Sequence, residues 1–118
     1  MPTFPVNADG YADLSPEESL KLLQSEKGVL ALDVRTPQEF VGELGHLRGS
    51  VLIPVEQLQA RIGEIQEYKN KKTVVICRAG HRSRTAASIL VREGFQNVVN
   101  LMEGMIGVNK IPGAPIER

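Results

Sequence analysis

Hydrophobic and polar positions along the chain divide it into alternating short segments of helical and extended period. The run Ser15-Pro16-Glu17-Glu18 reads as a helix start, with Ser15 as N-cap, Pro16 at the first helical position and Glu18 completing a capping box. Apolar Leu20, Leu22 and Leu23 supply a buried side and Lys27-Gly28 a stop, which predicts a helix from Pro16 to about Ser25. Val29 to Val34 is then a short apolar run, the signature of a buried strand. A second capping signal, Thr36-Pro37-Gln38-Glu39, predicts a short helix from Pro37 to about Gly42, and glycines 42, 45 and 49 mark a loop. Val51 to Ile53 reads as a short strand stopped by Pro54. Leu58, Ile62 and Ile65 recur near helical spacing between Val55 and Tyr68, before a charged turn from Lys69 to Lys72.

The strongest strand signal is the β-branched run Thr73-Val74-Val75-Ile76, which ends on Cys77. After a polar turn, helical character resumes from Ser83 to Arg92, and Gly94 closes it. Asn97 to Leu101 forms a further strand, and the tail after Glu103 is rich in glycine and proline. No internal repeat interrupts the alternation. Strands that alternate with helical segments predict a parallel α/β sheet flanked by helices, because parallel neighbours need a crossover between them.

Length and composition narrow the class. With 118 residues, 42% of them hydrophobic, the chain suffices for one core and one domain. Lysine plus arginine and aspartate plus glutamate both number 14, so no global field points to nucleic acid or an anionic membrane as partner. Met1 to Asp13 has no apolar run and reads as neither a signal peptide nor an anchor, so a cytoplasmic protein is expected. The single cysteine can neither form an internal disulfide nor build a zinc site alone. It is either a buried small hydrophobe or a reactive thiol.

Its setting favours the thiol. In an open parallel sheet the ligand crevice lies at the carboxyl ends of the strands, where Cys77 sits. The segment Cys77-Arg78-Ala79-Gly80-His81-Arg82-Ser83 puts it at the base of a tight loop, with Ser83 expected as the N-cap of the following helix. Converging loop amides and a helix dipole both favour an anion, hence a thiolate and an anionic substrate. Arg78, Arg82 and Arg84, three of the eight arginines, add local positive charge. Arg78 is expected to contact substrate, while Arg82 either does so or braces the loop. His81 is open between proton transfer and simple solvation.

These residues resemble the rhodanese homology domain, over a span from about Leu14 to Pro115. Leu32-Asp33-Val34-Arg35-Thr36-Pro37-Gln38-Glu39-Phe40 resembles the family's first motif. Gly45-His46-Leu47-Arg48-Gly49-Ser50-Val51 resembles its glycine-histidine turn, and Cys77 to Ser83 its active-site loop. Arg92 to Val98 and Leu101 to Gly104 resemble the pieces that follow. The resemblance implies a single α/β domain at residues 14–118 behind an N-terminal extension at residues 1–13, with a mainly parallel five-stranded sheet and helices on both faces. It also implies that Cys77 takes a sulfane sulfur from a small anionic donor such as thiosulfate and yields it to cyanide, a thiol or an acceptor protein. Residues 78–83, from Arg78 through Ala79, Gly80, His81 and Arg82 to Ser83, would line the substrate site. Asp33, Arg35, Glu39 and His46 would be structural, without metal or cofactor, in a monomer. The chain departs from the pattern at Glu103, where the family has a glycine, at Val108, where it has an aromatic residue, and at Arg48, where proline is common. The loop between Phe40 and Gly45 is longer than usual, and the segment to Pro115 runs one residue long.

Two other readings compete. A cysteine-dependent phosphatase shares the architecture but needs an arginine six positions after the cysteine to fork around phosphate, where this chain has Ser83. A non-catalytic binding module is opposed by the retained cysteine and basic loop.

Overall fold

The computed structural model describes residues 5–118. Both capping boxes form as the sequence predicts. Ser15 accepts from the Glu18 N–H and Glu18 reaches back to the Ser15 N–H, opening helix α1 (Pro16–Ser25). Thr36 and Glu39 do the same for α2 (Pro37–Phe40), which ends sooner than expected. Strand β2 (Leu30–Asp33) lies between them. The chain continues through β3 (His46–Leu47), β4 (Val51–Leu52), α3 (Val55–Leu58), a 3₁₀ helix (Ile62–Tyr68), β5 (Lys72–Ile76), α4 (His81–Arg92) and β6 (Asn97–Leu101). The helical span from Val55 to Tyr68 is thus split in two. It starts without a side-chain cap at Pro54 and has non-helical backbone at Ile65, so no continuous α-ladder forms.

Two elements lie in the tail that the sequence reading described only as rich in glycine and proline: α5 (Gly104–Val108) and β7 (Ile116–Glu117), which pairs antiparallel with β3. A third, β1 (Ala12–Leu14), completes a five-stranded parallel sheet of order β1-β6-β5-β2-β4. The fold therefore takes in Tyr11, Ala12 and Asp13, which the sequence reading left in the N-terminal extension; Met1 to Phe4 of that extension lie outside the described residues.

The sheet is buried on both faces, so its central strands are mostly apolar rather than alternating. Val75 and Cys77 face a core formed with Leu58, Ile65, Ala86 and Leu90 from α3, the 3₁₀ helix and α4. Val74 and Ile76 face the opposite core, with Leu20 and Leu22 of α1 and Met105 and Val108 of α5. Val108, where the resemblance implied an aromatic residue, is fully buried there. The alternation of β5 thus aims the Cys77 side chain at the face that α4 covers.

Candidate active-site loop

Cys77 follows the last residue of β5, and the chain turns at once into α4. Gly80 makes this turn possible. Its φ of 105° is a left-handed conformation that a side chain resists, and it is the N-cap of α4 without a capping side chain. The turn points the Gly80 N–H at the cysteine, donating to Sγ at 2.9 Å. Helix α4 accordingly begins at His81, two residues before the expected start, and Ser83 lies inside its first turn rather than capping it. The reason is that glycine in the left-handed region ends the loop more tightly than a serine N-cap would. Ser83 is fully buried, and its hydroxyl lies 3.4 Å from Cys77 Sγ, which donates to it as a thiol.

The loop is also clamped from outside. The Met105 N–H donates to the Cys77 carbonyl at 2.8 Å, and the Ile106 N–H to the Arg78 carbonyl at 3.1 Å. These amides belong to the first turn of α5, where helix donors lack internal partners. Gly104 allows the approach, since a Cβ there would meet the Arg78 carbonyl oxygen at 2.6 Å.

Around the thiol, Arg78, Ala79 and His81 are exposed, whereas Cys77 itself is only 1% exposed. Arg82 is engaged. Its guanidinium donates to both carboxylate oxygens of Glu39, at 2.6 and 2.8 Å, tying α4 to α2. The same contact holds Glu39 down to about 2, and burial opposes this only in part. The Arg82 pKa is pushed above its ordinary value, first by Glu39, and a negative charge on Cys77 adds to the effect. Of the two expectations for Arg82, the loop brace is the one the geometry forms; Arg78 carries the exposed cationic side chain beside the cysteine.

The residues expected to be structural form three separate units. Arg35 is buried and donates through Nε and Nη2 to Asp33, at 2.9 and 2.8 Å, and through Nη2 to the Gly45 carbonyl at 2.7 Å. Glu39 belongs to the Arg82 unit, apart from Asp33 and Arg35. His46 donates through Nδ1 to the Phe40 carbonyl at 2.8 Å and stacks on the Phe40 ring at 3.8 Å, pinning the loop between them. A cavity of about 170 Å³, lined by Arg35, Glu39, Gly42, Glu43, Leu44 and Arg78, opens beside the cysteine loop. A larger one, about 310 Å³, touches Lys72, Asn97 and Val98 at the opposite, amino end of the strands, away from the thiol.

Sequence reasoning missed Asn100, a fully buried polar residue in the otherwise apolar Val98-Val99-Asn100-Leu101. It accepts from the Ser83 hydroxyl at 2.5 Å and donates to Asp13 at 2.9 Å. A polar side chain interrupting a buried strand was the available signal.

The site lies in a parallel α/β domain with a buried thiol at the carboxyl end of its central strand. The rhodanese-like domain family model matches residues 15–110, and the chain belongs to that family. It is 31% identical over 94 residues to a sulfurtransferase of Allochromatium vinosum, covering 80% of this chain and 84% of that protein. It is 33% identical over 99 residues to a Bacillus subtilis protein named, as a candidate only, sulfur carrier protein YrkF, covering 84% of this chain and 51% of that one. It is 36% identical over 108 residues to a tRNA uridine(34) hydroxylase of Aster yellows witches'-broom phytoplasma, covering 88% and 34%. The chain thus spans about half the length of YrkF and about a third of the hydroxylase. Among solved structures, a rhodanese-like domain protein from Staphylococcus aureus superposes with a TM-score of 0.75 at 25% identity, over 91% of this chain and 99% of that one. No helix among the described residues is long and apolar enough to cross a membrane.

Proposed function

We propose that this domain transfers sulfane sulfur through a persulfide on Cys77, and the observation that carries the reading is the Cys77 thiol held at the base of the loop by the Gly80 N–H. The thiolate attacks the outer sulfur of a donor such as thiosulfate. A new S–S bond forms on Cys77, the donor's S–S bond breaks, and sulfite leaves with the bonding pair. A nucleophile, cyanide or the thiolate of a small molecule or acceptor protein, then attacks the outer sulfur, and the Cys77 thiolate leaves. A thiol only 1% exposed suits a donor that presents one terminal sulfur atom. Arg78, exposed beside it, is suited to the charge of an anionic donor. The relatives named as a sulfurtransferase and a candidate sulfur carrier support the same chemistry.

Phosphoester hydrolysis fits less well. The position that would fork around phosphate is Ser83, buried against the sheet, and the neighbouring Arg82 is paired with Glu39.

Intact-mass measurement after incubation with thiosulfate, then with cyanide, tests the reading. Wild type is expected to gain one sulfur atom and lose it to cyanide as thiocyanate, while Cys77→Ser gains none. A sulfur gain retained in Cys77→Ser, or no gain on wild type from thiosulfate or other sulfane donors, overturns it.

A further inference from the structure

Behind Cys77 a line of polar side chains crosses the sheet to its edge. Cys77 Sγ meets the Ser83 hydroxyl on α4, Ser83 donates to Asn100 Oδ1 on β6, and Asn100 Nδ2 donates to Asp13 Oδ1 on β1. Asp13 and Asn100 are register partners of the parallel β1–β6 pair, and Asn100 is in register with Val75 on β5, two residues before the cysteine. Ser83 and Asn100 are fully buried; Asp13 is exposed, and its second carboxylate oxygen accepts from Asn7 at 3.1 Å.

The line has a direction, imposed at its outer end. A carboxylate only accepts, so Asn100 must turn its NH₂ toward Asp13 and its carbonyl oxygen toward Ser83. Ser83 has one hydroxyl proton, which that carbonyl claims. The hydroxyl then shows only lone pairs to the sulfur, which suits a thiol S–H as donor and does not suit a thiolate. For Ser83 to donate to a thiolate, the buried Asn100 oxygen would have to lose its partner.

We propose that Asp13 and Asn100 are positioning residues that hold Ser83 as an acceptor toward Cys77, favouring the states with little charge on Sγ over the bare thiolate. Those states are the thiol and, resting on the persulfide reading above, the persulfide, whose charge sits on the outer sulfur. The device restrains the free nucleophile relative to the loaded cysteine, because the persulfide's inner sulfur carries less charge to face the hydroxyl lone pairs. Other titratable and charged groups on the elements packed around Cys77 include Arg78, His81, Arg82, Arg84 and Arg92 in the loop and α4, Glu39 of α2 paired with Arg82, Glu56 of α3, Tyr11 in the same core, Lys72 of β5, the Asp33–Arg35 pair at the end of β2, and Glu103 before α5. The test must separate Asp13 acting through Ser83 from Asp13 acting as a distant charge.

The experiment is the pH profile of iodoacetamide alkylation of Cys77 in wild type, Asp13→Ala, Ser83→Ala and the double variant, with circular dichroism to confirm folding. Without Asp13 the Asn100 amide is free to turn its NH₂ to Ser83, which then donates to the thiolate. The alkylation midpoint is expected to fall by about 0.5–1 pH unit, roughly three- to tenfold more thiolate at a pH below the midpoint. In the Ser83→Ala background the same substitution is expected to leave the midpoint in place. Asn100→Leu, which removes the acceptor, should follow the same rule and serves as the second variant should either Asp13 form fail to fold. An equal shift with and without Ser83 assigns the effect to through-space charge and overturns the proposal, as does no shift in either background. Because alkylation does not require sulfur transfer, this result stands apart from the mass measurement that tests the persulfide.

Discussion

Glu103 is the single non-glycine residue with positive φ among those described, at 65°. The left-handed backbone costs an L-residue about 1–2 kcal/mol, while the flexibility glycine adds to the unfolded chain offsets part of any gain from replacing it. Glu103→Gly is therefore expected to stabilise the domain by about 0.5–1 kcal/mol in urea unfolding, and a loss of stability would show that the Glu103 side chain contributes more than its backbone costs. For Arg78 the proposed contribution is of the opposite kind, to donor binding rather than to stability. With its side chain exposed beside the thiol, Arg78→Ala should raise KM for thiosulfate more than it lowers kcat, in steady-state assays with cyanide as acceptor. An unchanged KM removes Arg78 from the donor site.

Elements meet at the loop through a few charged or tightly fitted contacts. The Glu39–Arg82 pair joins α2 to α4, and Glu39 titrates in the folded protein at about 2 rather than at its ordinary 4.5. A carboxyl with a depressed folded pKa stabilises fully above its unfolded pKa, and the contribution fades as pH falls through the folded one. Glu39→Gln should therefore cost on the order of 1 kcal/mol at pH 6, with both side chains partly open to solvent and screening. The difference from wild type should shrink between pH 4.5 and 2. Urea titrations across that range check it; a constant difference would mean that the pair's charge is not what stabilises the link. The other contact is the α5 clamp, whose Gly104 has no room for a side chain against the Arg78 carbonyl.

For the whole molecule, the sheet edge matters as much as its centre. Strand β1 carries buried Ala12 and Leu14, preceded by buried Tyr11, and it delivers Asp13 to Asn100. A chain beginning at Ser15 loses the apolar burial of those side chains and uncovers the β6 edge, so it should be destabilised by about 4 kcal/mol or more. Urea unfolding of that truncated protein beside the full chain decides this, and wild-type stability would show β1 to be dispensable.

What could be read along the chain was local. Both capping boxes, the central strands and the cysteine at a strand's carboxyl end follow from residue spacing, because caps and strand periodicity involve neighbours a few positions apart. The two-residue β3 and β7 and the five-residue α5 had no such signal, since elements this short are stabilised by partners far away in sequence. The start of α4 at His81 was misplaced for a related reason: serine is the stronger N-cap by side-chain type, while the folded loop has a left-handed Gly80 at its end and its carbonyls bonded by α5. The role of Arg82 was likewise undecided along the chain, and Ser83 was expected as a cap instead. Only the packing of α4 against α2 and β6 gives Arg82 to Glu39 and Ser83 to Asn100, and only the pairing of β1 with β6 brings Asp13 within reach of the cysteine's surroundings. Sequence determined which residues could do chemistry; the tertiary structure decided which way their hydrogen bonds run, because that depends on partners the chain brings together only when folded.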